Sequence, residues 1–337
     1  MANIVIMVWK QHADAGFGDL LRGTIYLHKL SQKMKFNLIV DIQFHPVSQF
    51  LVPQPHEHSA YVIQNQSQII NAINVNDNFI INQLRDHNLS NNPNPNPVLI
   101  TTNYSDNHHE SPSVECKHFM RSLLIPTNEF KTWFNDTCNA FKIPKYYSIL
   151  HFRLGDDELI HHNENPEQYN NLFNMVNSNM KTIPNLYMMT DSAKFKQYLR
   201  RALHPTLTYR IISTTPVHLS HPDADIETVK DTLFDFMLLT NARFIKTHSV
   251  YGWISGFVQW VSHIFNVPLI NLRPRNQPIK MHLFGSDSQQ PPMHQLAKPM
   301  QPMKPMKPMQ LKSILSFMKP IRSNSDRKSK MAFSKMF

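Results

Sequence analysis

Glycine is scarce in this sequence, with seven in 337 residues, against a usual share of roughly 7%. Cysteine is scarcer, with only Cys116 and Cys138. Two thiols cannot staple a small disulfide scaffold, so a buried core must hold the chain together. Long apolar runs are missing too. No stretch reaches the roughly 18 consecutive apolar residues that a membrane-crossing helix needs. A strand-like run starts at Asn3, and it leaves no space ahead of it for a secretory leader. The expected location is therefore the cytoplasm, in a bacterial or viral setting. Hydrophobic residues at 41% exclude wholesale disorder and allow two ordinary domains.

What is there begins with charge. The net +10 is not spread evenly, because residues 281–337 carry ten Lys or Arg against Asp287 and Asp326. Residues 1–280 then hold 24 basic and 22 acidic side chains and are nearly neutral. A general nucleic-acid role loses its main support. The basic tail is low in complexity, with proline at every third position between Lys298 and Met309. Such a repeat favours solvated polyproline II and reads as disordered. Leu311, Ile314, Leu315 and Met318 follow it as one or two amphipathic turns, which suit contact with acidic partners or a membrane surface.

The body alternates strand and helix signals. Asn3–Trp9 is a β-branched run suited to a strand covered on both faces, Leu20–Met34 has helical spacing, and Phe36–Val40 is strand again. That is a βαβ unit. Asn91–Pro97 is a loop and Val98–Thr102 a further strand. After Thr127, which caps a helix over Asn128–Phe141, the alternation restarts. Strands are expected at Tyr146–Phe152, Asn185–Thr190, Tyr209–Ser213, Ala242–Lys246 and Val267–Asn271, with helices at Ser192–Leu203, Ile226–Thr240 and Gly252–Phe265. The expected fold is α/β, with two Rossmann-like domains facing a cleft: residues 1–126, residues 127–280, then the tail.

Six of the seven glycines fall where strand-to-helix turns are expected: Gly16, Gly18, Gly23, Gly155, Gly252 and Gly256; Gly285 is elsewhere. Gly16-Phe-Gly-Asp-Leu-Leu-Arg-Gly23 opens like a dinucleotide fingerprint, but Leu21 stands where its third glycine belongs. A Rossmann oxidoreductase is therefore set aside, although amides at this helix start could cradle phosphate, with Arg22 facing the same cleft. His151-Phe-Arg-Leu-Gly-Asp156 ends a strand, so His151 and Arg153 share a face. The Arg offers a planar fork to a diphosphate and the His a bond to a base edge or phosphate. Asp156 would cap the next segment or hold Arg153. Thr247, His248 and Ser249 are expected at a strand end before Tyr251 and Gly252, and Asp235 lies on the helix before them. Hydroxyls and free amides at a helix start suit an anion.

Taken together, these motifs resemble the fucosyltransferase superfamily of the GT-B fold, which includes the α1,2-, α1,6- and protein O-fucosyltransferases. The resemblance runs in order through Gly16-Phe-Gly-Asp19, Phe119–Pro126, His151–Asp156, Thr190-Asp191-Ser192, and Asp235 with Ser249-Val-Tyr-Gly-Trp253. It implies a glycosyltransferase using GDP-fucose, a glycan or protein acceptor, inversion at the anomeric carbon, and neither metal nor cofactor. Carried over by motif, Arg153 neutralises the departing diphosphate, His151 and Asp235 hold guanine, and Ser249 touches phosphate. Asp191, His248, Tyr251 and Gly252 complete the donor side. Gly252 stands where the superfamily commonly has Ser, so backbone would replace a hydroxyl there. Asp19 is the expected general base.

Two other readings compete. A metal-dependent glycosyltransferase of the other common fold wants a D-x-D at a strand end; Asp223-Ala-Asp225 is one, but its place before a helix suggests a cap. The histidine pairs at 108–109 and 161–162 lack metal-ligand spacing. A non-catalytic glycosyltransferase-fold protein that docks partners through its tail is the reading from a different class.

Overall fold

A computed structural model describes residues 3–10, 16–86, 96–106, 110–154, 166–214, 225–251 and 253–272. Gly155, Asp156, Asp223, Gly252, Gly285, both histidine pairs and the basic tail lie outside the described residues.

The chain opens with β1 (Ile4–Lys10), α1 (Phe17–Met34) and β2 (Asn37–Phe44). Val5 to Trp9 are all buried, as expected for a strand with helices on both faces. β3 (Ile70–Ala72) and β4 (Val98–Thr102) complete a parallel sheet in the order β2-β1-β4-β3. A second parallel sheet has the order β6-β5-β7-β8, from β5 (Ser148–Arg153), β6 (Leu186–Thr190), β7 (Ile245–Ser249) and β8 (Leu269–Asn271). The expected α/β architecture with two parallel sheets is present.

Between the strands run α2 (Ser59–Gln64), α3 (Asp77–Leu84), α4 (Val114–Leu123), α5 (Asn128–Ala140), α6 (Pro166–Thr182), α7 (Ala193–Ala202), α8 (Pro205–Thr208), α9 (Ile226–Thr240) and α10 (Gly256–Phe265). None of these helices is long and apolar enough to cross a membrane. Thr127 caps α5 by accepting from the Phe130 N–H, as its sequence predicts.

The structure corrects four local expectations. Of Tyr209–Ser213 only Ile211 pairs, in a single bridge to Met188, because α8 and its closing turn use up the residues before it. The strand expected over Ala242–Lys246 begins at Ile245 and continues through Ser249, since the Arg243 N–H turns to the Tyr147 carbonyl at 2.8 Å. Thr247, His248 and Ser249 are thus inside β7 rather than after it. The last helix starts at Gly256, not Gly252. Finally, Gly23 is in the middle of α1, not in a turn. A Cβ there would lie 1.9 Å from the Thr102 carbonyl oxygen, so its role is to let the helix rest on the end of β4.

One hydrophobic core joins the facing sides of both sheets. It takes Val5, Met7 and Trp9 from β1, Leu20 and Leu27 from α1, Ile149 and Ile245 from the second sheet, and Phe234 and Phe236 from α9. Phe17 lies edge-on to Trp9 at 5.8 Å and to Phe236 at 5.0 Å, and Phe236 is edge-on to Phe257 at 5.7 Å. α4 is tied in as well, because Arg121 Nε donates to the Ile264 carbonyl of α10 at 2.8 Å. The outer faces have cores of their own: Ile6, Val8 and Leu99 under Val62, and Leu150, Phe152 and Met188 under α6 and α7.

Candidate functional site

In the second sheet the chain runs from β5 outward to β6, then returns to β7 on the other side of β5. The carboxyl ends of β5 and β7 therefore flank the point where strand order reverses, the usual ligand crevice of an open parallel sheet. Arg153 pairs in register with Ser249 at that point. Leu150 and Phe152 turn into the outer core, which sends His151 and Arg153 to the face shared with α9 and α10.

Arg153 is fixed in place. Its Nη1 lies 2.5 Å from Asp191 Oδ2, and Asp191 Oδ1 accepts from the Leu154 N–H at 2.9 Å. Asp191, the first residue past β6, thus holds both the guanidinium and the backbone turning away from β5. The two side chains are only 19% and 14% exposed. A guanidinium held at a strand end in this way can offer its remaining N–H groups to an anion.

His151 Nδ1 is 3.1 Å from Thr247 Oγ1. Burial holds its pKa down at about 4, with the Arg153 charge acting the same way and Asp191 opposing. The ring is neutral at pH 7 and works as a hydrogen-bonding group, not a cation. Asp235 is also interior and accepts from Thr214 Oγ1 at 2.8 Å. Burial pushes its carboxyl up to about 7, against the pull of Lys196 and Thr214. Lys196 Nζ donates to the Thr214 carbonyl. Burial lowers the Lys196 pKa, and the negative charges of Asp235 and Asp191 counter it. Lys196 and Thr214 were not anticipated, and Thr247, expected beside an anion, bonds His151 instead. Lys196 left one trace in the sequence: it occupies an apolar position of α7, in step with Leu199 and Leu203.

The remaining expected residues divide into three groups. Ser249 is buried, and its Oγ accepts from the Tyr251 N–H at 3.2 Å. Tyr251 stacks on Trp253 with centroids 5.1 Å apart. His248 is on the opposite face of β7 from Ser249, its ring 5.7 Å from Phe152, so it is not brought together with Arg153. The third group is at the start of α1. Asp19 Oδ2 accepts from the Gly16 N–H at 3.0 Å, which closes the helix start. Its Oδ1 is 2.9 Å from Arg22 Nη2, and Arg22 Nε donates to the Asn103 carbonyl at the end of β4 at 2.5 Å. Gly18 meets α10: a Cβ on it would be 3.1 Å from both Gly256 C and Phe257 N. The glycine turn of the first half therefore touches the helix that follows β7 in the second.

Asp225, from the D-x-D triplet, caps α9 by accepting from the Thr228 N–H at 2.8 Å. Among the described residues, no group of three or more His, Cys, Asp or Glu side chains is placed to hold a metal ion.

The sequence matches no family model and no curated relative. The fold is similar to solved structures of fucosyltransferases. NodZ from Bradyrhizobium is 14% identical, with 80% of this chain and 95% of that one covered at a TM-score of 0.46. An Arabidopsis thaliana FUT1 mutant in complex with GDP is 13% identical, covering 82% and 71% at 0.49. POFUT1 in complex with GDP-fucose is 11% identical, covering 80% and 98% at 0.47.

Proposed function

We propose that this chain is a glycosyltransferase that takes its sugar from a nucleoside diphosphate sugar, with GDP-fucose the donor its motifs favour. The reading rests on Arg153, which Asp191 locks at the strand-order reversal, opposite Ser249. As an acceptor oxygen bonds to the anomeric carbon, the bond from that carbon to the diphosphate breaks and negative charge grows on the leaving group. A fixed guanidinium at that place needs no rearrangement to stabilise it. Arg153 would supply the charge that a metal ion supplies in other transferases, and attack opposite the leaving group inverts the centre. Neutral His151 suits a base edge. Asp235 would accept from guanine by exchanging the Thr214 hydroxyl for it. Asp19 has one oxygen on Gly16 and one facing Arg22, so use as a base requires it to release Arg22 first; its present role is to hold the glycine turn.

The test is calorimetric titration of the full chain with GDP, UDP and ADP in the presence of EDTA. Micromolar binding of GDP is expected, weakened about tenfold or more in Arg153→Ala, the loss of a charge-assisted contact. Preference for UDP or ADP would reassign the donor. Binding of none of them would support the non-catalytic, partner-docking alternative.

A further inference from the structure

Trp253 is 65% exposed, the most exposed large apolar side chain among the described residues. Two other exposed rings each carry a cation over one face: Lys145 Nζ is 5.5 Å from the Tyr146 centroid and the Arg210 guanidinium 5.5 Å from that of Tyr209. Trp253 is backed by a second aromatic ring instead, since Tyr251 lies parallel to it within 11° at 5.1 Å. Its other face is presented to solvent.

The segment that carries Trp253 is anchored at both ends. At one end the Val250 N–H donates to the Arg153 carbonyl at 3.0 Å and the Tyr251 N–H to Ser249 Oγ at 3.2 Å. At the other it enters α10, whose first residue Gly256 lies against Gly18. Trp253 thus lies in the chain between residues bonded to Arg153 and Ser249 and the helix that meets the start of α1.

We infer that Trp253, backed by Tyr251, is the platform on which a pyranose ring of the acceptor saccharide lies. This rests on the transferase reading above. One face of a pyranose presents only C–H groups, and its fit to an indole combines apolar burial with attraction of C–H hydrogens to the negative ring face. The nucleobase is a poorer occupant. The groups suited to reading a base edge, His151 and Asp235, are 5% and 2% exposed within the body of the fold, whereas Trp253 is on the surface.

The experiment uses the full chain with lactose, cellobiose, maltose and chitobiose as probes, followed by acrylamide quenching of tryptophan fluorescence. Trp9 and Trp260 are buried and Trp133 is partly so, so quenching reports chiefly on Trp253. At least one saccharide is expected to shield it. Trp253→Ala should weaken that saccharide about tenfold by calorimetry while GDP affinity stays within about twofold, and Trp253→Phe should retain most of it. The proposal is overturned if no saccharide shields the wild type, if Trp253→Ala binds as the wild type does, or if GDP affinity falls in parallel, which would place the base on the indole. Loss of the transferase reading looks different: the wild type fails to bind GDP while Trp253-dependent saccharide binding persists.

Discussion

His45 follows β2 and is 1% exposed, with Nδ1 accepting from the Val47 N–H at 3.2 Å and Nε2 buried without a partner. Burial holds its pKa down at about 4, against 6.5 for an ordinary imidazole. Between those values the unfolded chain binds a proton that the folded chain does not. The neutral ring's contribution to stability is therefore complete above about pH 6.5 and is lost as pH falls toward 4. At pH 5 this amounts to about 2 kcal/mol. His45→Gln lacks that penalty, so its deficit in thermal stability relative to wild type should shrink from pH 7.5 to pH 5; an unchanged deficit would show that the ring is not buried neutral. Asp235 acts in the opposite sense. Its folded pKa is raised from 3.8 to about 7, so its contribution is full below about pH 4 and is lost as pH rises through 7. Asp235→Asn should therefore gain on wild type between pH 5 and pH 8, as melting curves would show. Some residue placements were legible, apart from any role. Arg153 and Asp191 each stand at a strand end, where a sequence pattern points directly. Lys196 and Thr214 were not, because their importance comes from an interior that only the assembled fold brings together.

Elements were most legible where one physical signal dominated. The run Ile4–Trp9 and the helix Ile226–Thr240 needed no tertiary information, and Val98–Thr102 was bounded by a proline before it and polar residues after it. The pieces α2, α3, β3 and α8 went unread because three to eight residues are too few to show a period; α4 went unread despite its apolar stripe at Cys116, Met120 and Leu123, and α6 because five asparagines dilute its pattern. Packing makes such pieces, more than propensity does. Gly23 is the reverse case, a residue noticed for its rarity but given the wrong reason. Gly23→Ala should destabilise the protein by about 3 kcal/mol or more, since a methyl against the Thr102 carbonyl forces α1 off β4. Chemical denaturation would measure this, and a variant as stable as wild type would mean that the helix can shift freely. Gly18→Ala, at 3.1 Å from α10 backbone, should cost less, because only the first turn of α1 must yield.

At the scale of the whole molecule, the continuous core makes one prediction and the tail another. Phe236 touches Phe17, Phe257 and Phe265, so Phe236→Ala should cost about 3–5 kcal/mol and still melt in one transition, both sheets unfolding together. Two separated transitions would show that the sheets hold independent cores. Removal of residues 285–337 should change the melting temperature by no more than about 2 °C, under about 1 kcal/mol; a larger drop would show that this basic segment packs on the rest.

The ring contact between Phe17 and Phe236 also limits how the two sheets can move against each other. A jaw-like opening of the two sheets would part these rings and wet Trp9 behind them, at about 1.5–3 kcal/mol for each large apolar side chain exposed. Gly18 and Gly256 would have to separate in the same motion. Such an open form would be rarely populated, so on the transferase reading substrate entry and product exit would have to proceed without it. On that reading, turnover would respond little to substitutions that stiffen the join between Phe17 and Phe236.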